Sequence, residues 1–226
     1  LGVPPLAHLA GTAVIAAAAA LVIIRGLLPD RPDGGQAGPR IARPSRRLAV
    51  YGGIAFCVLL AEGAVFDWSG IYLATDQRAG AGLAPIGLAA FSLTMGVGRL
   101  LADPAAERFG DSAVGRGGAM AGAAGLGLAL ATGSVAASIA GFAVMGIGLA
   151  AVFPLTLRAA ARSPATAGPD LAAVSTFGYL GLFLGPPAIG ILAEVTSLRA
   201  ALLLVCAACV LATILASRIS GSATES

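Results

Sequence analysis

Apolar residues along this chain are gathered into long blocks, and most polar residues fall in the gaps between them. Such blocks match neither the alternation of a half-buried strand nor the narrow stripe of a surface helix. Several reach the roughly 20 residues that an α-helix needs to cross a bilayer. The pattern predicts seven spans, at about residues 5–28, 48–73, 83–102, 113–132, 134–157, 171–193 and 200–217. The first is alanine-rich and runs into "RGLLPDRPDGGQAGPRIARPSRR", whose prolines, glycines and arginines predict a linker over residues 29–47. Residues 219–226 form a short polar tail. The predicted fold class is all-α: a polytopic helical membrane protein with about seven transmembrane helices.

Composition removes the soluble alternative. The 226 residues are 58% hydrophobic and 11% charged, against roughly 25% charged in a soluble domain, and the mean hydropathy is +0.91. All 14 basic residues are arginine. They do not form one polybasic tract, so the excess of positive charge reads as topology and gives no nucleic-acid signal. Sorted by alternate loops, twelve arginines fall on one side (25, 31, 40, 43, 46, 47, 99, 108, 116, 158, 162 and 218) and two, Arg78 and Arg199, on the other. The positive-inside rule then sets residue 1 outside and residue 226 in the cytoplasm. Trp68 and Tyr72 fall near the outer end of the second span, where interfacial aromatics collect. The chain begins at Leu1 without an initiator methionine, and the expectation is that the native beginning is missing.

Several features read as packing. Gly118/Gly122 and Gly181/Gly185 each present a small-xxx-small face, which lets helix backbones approach closely in lipid; a dimer interface is the alternative use. Cys57, Cys206 and Cys209 lie in apolar blocks and read as small apolar residues rather than a redox pair. Pro154, Pro186 and Pro187 fall inside or at the ends of spans, where a missing backbone donor favours a kink. His8, near an outer helix end, reads as interfacial.

The second span carries the first candidate chemistry, in "AEGAVFDWSGIYL". At 1.5 Å per residue, Glu62 falls roughly 3 Å and Asp67 roughly 10 Å beyond the midplane. An ionised carboxylate at mid-bilayer costs a few kcal/mol, so Glu62 is expected to be protonated, paired, or turned to a wet cavity. It either couples a proton or a substrate in a cavity or hydrogen-bonds a neighbouring helix. Asp67 either faces substrate or ends the span at the interface. Five residues apart, the two are rotated by roughly 140° and do not form a catalytic pair. The second candidate is "GRLLADPAAERFGD", read as a cytoplasmic loop in which Asp103, Glu107, Arg108 and Asp111 form a charge cluster beside Gly98 and Gly110. There Asp103 either holds an arginine and a helix N-terminus together as a latch, or the charges are simply solvated.

At these residues the sequence resembles a known family. Gly98, Arg99, Asp103, Arg108 and Gly110 are similar to the cytoplasmic loop signature of the major facilitator superfamily, in the copy found in its C-terminal half. Pro104 stands where the commoner form has arginine, and Arg108 comes four residues later. "AEGAVFDWSGIYL", "TFGYLGLFLGPP" and "LAEVTSLRAAL" resemble its sugar-permease-like bacterial branch. The resemblance implies a partial superfamily fold, spans six to twelve of twelve. It makes residues 1–28 span six, 29–47 the central linker, 48–218 the C-terminal six-helix bundle and 219–226 a cytoplasmic tail. The second, third, fifth and sixth spans would line a cavity, and the first, fourth and seventh would face lipid. On that view Glu62, Asp67, Ser175, Thr176 and Tyr179 are the candidates for substrate or proton coupling.

The implied function is secondary active transport of a small solute by alternating access, as a proton symporter of a sugar-like molecule in the bacterial inner membrane. Drug or metabolite efflux and a non-transporting membrane scaffold are the alternatives. A lone midplane acid favours protons over sodium as the coupling ion. Expected partners are the solute, the lipid bilayer and the missing N-terminal half of the same chain. No cofactor, metal or enzymatic activity is expected. A seven-helix photoreceptor needs a lysine for its Schiff base, and the chain has none. An intramembrane protease needs a Ser/His or HExxH arrangement, and the single histidine is His8.

Overall fold

The computed structural model describes residues 5–26 and 45–218. The chain divides into two compact units, residues 1–37 and 38–226. In the first, α1 spans Pro5–Gly26; the side chain of His8 lies outside the described residues, as do residues 29–44 of the expected linker and the tail 219–226.

The second unit contains α2 (Arg46–Thr75), α3 (Ala84–Phe109), α4 (Asp111–Ala131), α5 (Val135–Leu149), α6 (Val152–Ala160), α7 (Ala167–Val195) and α8 (Leu198–Ala216). Every regular element among the described residues is α-helical. Because α5 and α6 form one interrupted span, Val135–Ala160, the described chain has the seven helical spans that the apolar blocks predict. Five are long and apolar enough to cross a membrane: α2, α3, α5 with α6, α7 and α8. In α4 repeated glycines, Asp111 and Arg116 lower the hydropathy.

Local chemistry sets the helix ends. Ser45, Ser134 and Ser197 are N-caps, their hydroxyls accepting from the amides of Leu48 (3.1 Å), Ala137 (3.4 Å) and Ala200 (3.2 Å). Helix α2 therefore starts at Arg46, inside the stretch that reads as linker. At the other boundary α3 runs through Pro104 to Phe109, so Asp103, Glu107 and Arg108 ride on helical turns and the expected loop does not exist. Ala102 and Ala106 hold those turns by packing on Ala151 and Leu155. A single residue, Gly110 at φ 82°, then joins α3 to α4, a backbone conformation that side chains disfavour.

The α5–α6 break lies one turn before Pro154. In a continuous helix residue 154 would donate to the carbonyl of Ala150, but proline has no N–H and its ring crowds that carbonyl. Helix α7 behaves differently, remaining helical across Pro186 and Pro187. The carbonyl of Leu182, four residues before Pro186, packs on α2 at Gly63, where an added Cβ would lie 2.9 Å from that oxygen.

Helix α2 is the centre of the bundle, packing on α3, α5, α6, α7 and α8. Its seam with α7 uses Gly181 and Gly185, and the α4–α5 seam uses Gly118 and Gly122. Both small-residue faces thus serve packing within the chain. The end of the bundle formed by the C-terminal turns of α2 and α4 is tied by hydrogen bonds. Tyr72 Oη donates to Ala129 O (3.0 Å), Gln77 Nε2 donates to Tyr72 Oη (2.8 Å) and Thr132 O (3.1 Å), and Ser138 Oγ donates to Ala129 O (3.1 Å). At the arginine-rich end Ser112 Oγ donates to Ala216 O (3.2 Å) and Arg47 Nη2 to Ala159 O.

Candidate functional site

Glu62 stands on the most enclosed stretch of α2, between Ala61 and Gly63, and is 6% exposed. Its Oε2 lies 3.8 Å from Nη2 of Arg99 on α3. That distance is too long for a hydrogen bond and short enough for strong attraction between charges out of water. Arg99 is the sixteenth of the 26 residues of α3, so it lies near mid-helix. Its Nη2 also points at Met95 Sδ (3.5 Å). The two side chains are 8% and 57% exposed: the acid is shielded and the base reaches the open side of the bundle.

This placement corrects the expectation for Arg99. Its position beside Gly98 suggests a loop arginine next to Asp103, but ten more helical residues follow it in α3, about 15 Å of helix. Glu62 is accordingly a paired carboxylate in this structure rather than one turned directly to an open cavity.

The remaining coupling candidates stand apart. Asp67 is exposed on α2 beside Phe66, which packs edge-on against Phe91 at 6.0 Å between ring centroids. On α7, Thr176 is exposed with its hydroxyl donating to Ala172 O (2.8 Å), Tyr179 is exposed, and Ser175 is half-buried. Among the described residues no hydrogen bond or ion pair joins Glu62 or Asp67 to Ser175, Thr176 or Tyr179.

A second charged constellation closes the arginine-rich end. Arg158, in the last turn of α6, donates through Nη2 to Asp103 Oδ1 on α3 and places Nη1 3.7 Å from Asp111 Oδ1. Arg162, just past α6, donates through Nη2 to Asp111 Oδ2 at 2.7 Å. Asp111 is the first residue of α4 and Arg158 lies near the end of α6, so each also meets the favourable end of a helix dipole. Arg47 bonds the carbonyl of Ala159 and lies over the Tyr51 ring at 5.4 Å. The short helix α6 is therefore tied to α2, α3 and α4.

The predicted cluster is only partly this one. Asp103 holds an arginine, as expected, but Asp111 is the acid at the helix N-terminus. Arg108 lies over the Phe109 ring at 5.3 Å, and Gly98 is a packing position facing Ala150 and Ile147. Sequence reasoning missed Arg158 and Arg162 as partners. Their i, i+4 spacing just after Pro154 was the available signal, since two basic residues on one face at a helix end invite acids from a neighbour.

Comparison with known proteins places this arrangement. The profile of the Major Facilitator Superfamily matches residues 51–221. An uncharacterized MFS-type transporter of Yersinia pestis is 33% identical over 218 residues, covering 96% of this chain and 56% of that protein. Membrane protein MosC of Rhizobium meliloti is 33% identical over 193 residues, 83% of this chain and 47% of its own. An uncharacterized transporter of Sinorhizobium fredii is 38% identical over 157 residues, 69% of this chain and 42% of its own. The chain thus spans about half the length of the curated relatives it matches. With its helical bundle and apolar spans, this multi-pass membrane chain belongs to the major facilitator superfamily.

Proposed function

We propose that the chain is the C-terminal part of a proton-coupled secondary transporter of the bacterial cytoplasmic membrane, moving a small solute by alternating access. The observation that carries this reading is the shielded carboxylate of Glu62 facing Arg99 near the middle of two adjacent spans. Ionisable residues at that depth are expensive and serve ion or substrate pathways. With Glu62 ionised, Arg99 holds α3 against α2. When Glu62 takes a proton the attraction is lost, and Arg99 is free to turn to the open side of the bundle. Proton binding and helix movement are then one event.

Asp103, Asp111, Arg158 and Arg162 would lie at the cytoplasmic end, where they hold α3 and α4 to α6 and part when that end opens. Asp67, Ser175, Thr176 and Tyr179 supply polar groups for a solute seated against the N-terminal half. A sugar-like solute suits hydroxyl and carboxylate partners of this kind.

The test uses the full-length protein in proteoliposomes, with a panel of sugars and of apolar efflux substrates and an imposed pH gradient. A proton gradient should accelerate net movement of one solute class. Glu62→Gln should abolish that acceleration while leaving solute exchange without a gradient. Gradient-driven accumulation by Glu62→Gln at the wild-type level overturns the coupling role.

A further inference from the structure

Two cavities follow one another along α2. One, of about 310 Å³, is lined by Arg46, Arg47, Val50, Tyr51 and Arg218. The other, of about 290 Å³, has Ala49, Gly53, Phe56, Phe177 and Leu211 among its walls. Residues 46, 49, 50, 53 and 56 recur at three- and four-residue spacing, so both cavities open on overlapping faces of the same helix. From Arg46 to Phe56 the helix rises about 15 Å, half of the roughly 30 Å hydrocarbon core.

The chemistry changes along this path. Three arginines line the first cavity, and the second is walled by aliphatic, aromatic and glycine residues with Cys57. Arg47 is partly committed, to Ala159 O and the Tyr51 ring. Among the described residues no carboxylate pairs with Arg46 or Arg218. Asp170 lines a small adjoining cavity with Arg47 and Tyr51, and there it accepts a hydrogen bond from the Thr166 hydroxyl at 2.8 Å. Arginines with no carboxylate partner among the described residues, at the mouth of an apolar groove, suit an anion that carries a hydrocarbon tail.

The geometry points to a binding site for an anionic phospholipid, its phosphate held by Arg46, Arg47 and Arg218 and an acyl chain lying along α2 against Phe56, Phe177 and Leu211. Basic pockets between spans on the cytoplasmic side take anionic headgroups. Free phosphate shares the headgroup chemistry but has nothing to place in the groove. The inference rests on the membrane orientation proposed above and needs neither proton coupling nor a known solute. The lipid would join α8 to α2, the helix that carries Glu62.

Native mass spectrometry of the full-length protein tests it, with phosphatidylglycerol, phosphatidylcholine or inorganic phosphate added at equal concentration. Phosphatidylglycerol should be retained in preference to both. Arg46→Gln with Arg218→Gln should weaken it about 30-fold. Arg46→Lys with Arg218→Lys should retain it, and Arg199→Gln, at the far end, should leave it unchanged. Ala49→Phe, which fills the groove, should weaken it with both arginines in place. Equal retention of the two lipids, no effect of the double glutamine variant, or displacement of phosphatidylglycerol by inorganic phosphate overturns the site. A failure of Glu62→Gln to alter transport leaves this measurement untouched, so the two readings fail separately.

Discussion

At the scale of single residues, the pairing of Glu62 with Arg99 has an energetic signature of its own. Removing one partner of a buried pair leaves a stranded charge, which costs about 3–5 kcal/mol when both groups are dry. Arg99 is 57% exposed, so the loss should be smaller, roughly 2 kcal/mol. Arg99→Leu should therefore unfold several degrees below wild type in detergent. Adding Glu62→Gln should recover most of the loss, because the stranded acid is gone. Thermal unfolding of the two single variants and the double variant reads the coupling directly; strictly additive losses would mean that the two side chains do not feel each other. Glu62 was visible in the sequence because a carboxylate in an apolar block has nothing local to explain it. Its partner was not, since 37 positions separate them and only the packing of α3 on α2 brings them together. Arg99 also sits beside Gly98 and a polar run, which made it read as part of a loop.

At the scale of elements, the length of the apolar blocks was enough to predict the spans, because the bilayer fixes how long a crossing helix must be. Where the helices end was less legible. The polar run at 103–109 looks like a loop but is held as helix by Ala102 and Ala106 on Ala151 and Leu155. The span holding Pro154 is broken, while α7 continues across Pro186 and Pro187. The glycines divide in the same way. A Cβ on Gly185 would lie 3.0 Å from Leu60 Cγ and 3.2 Å from Leu60 O, whereas one on Gly127 meets nothing within 4 Å. Gly185→Leu should thus push α7 off α2 and cost about 1–3 kcal/mol or more. Gly127→Ala should be neutral or stabilising by up to about 1 kcal/mol. Unfolding temperatures of the purified full-length variants check both, and equal effects would mean that the α2–α7 seam is not tightly packed.

At the scale of the whole bundle, the question is what lets one end open while the rest stays packed. The end near Tyr72 and Gln77 is joined by hydrogen bonds onto backbone carbonyls of α4, and its donors are largely buried. The arginine-rich end has two such bonds, from Ser112 to Ala216 O and from Arg47 to Ala159 O, and adds the ion pairs of Arg158 and Arg162 with Asp103 and Asp111, of which the Arg158 and Asp103 side chains are 47% and 71% exposed. Exposed pairs contribute at most about 1 kcal/mol each and are screened by salt. Losing the Arg158–Asp103 pair should barely change overall stability yet shift a balanced opening equilibrium by about fivefold. Thr156 offers a reporter: it is fully buried within one turn of Arg158, with its hydroxyl bonded to Val152 O at 2.7 Å. In an otherwise cysteine-free full-length protein, Thr156→Cys should react with a water-soluble maleimide only when this end opens. Arg158→Gln should speed that reaction about fivefold with little change in unfolding temperature, and 1 M salt should produce the same acceleration in the protein that keeps Arg158. A labelling rate indifferent to both would leave the charge network as solvated decoration and move the control of opening elsewhere in the bundle.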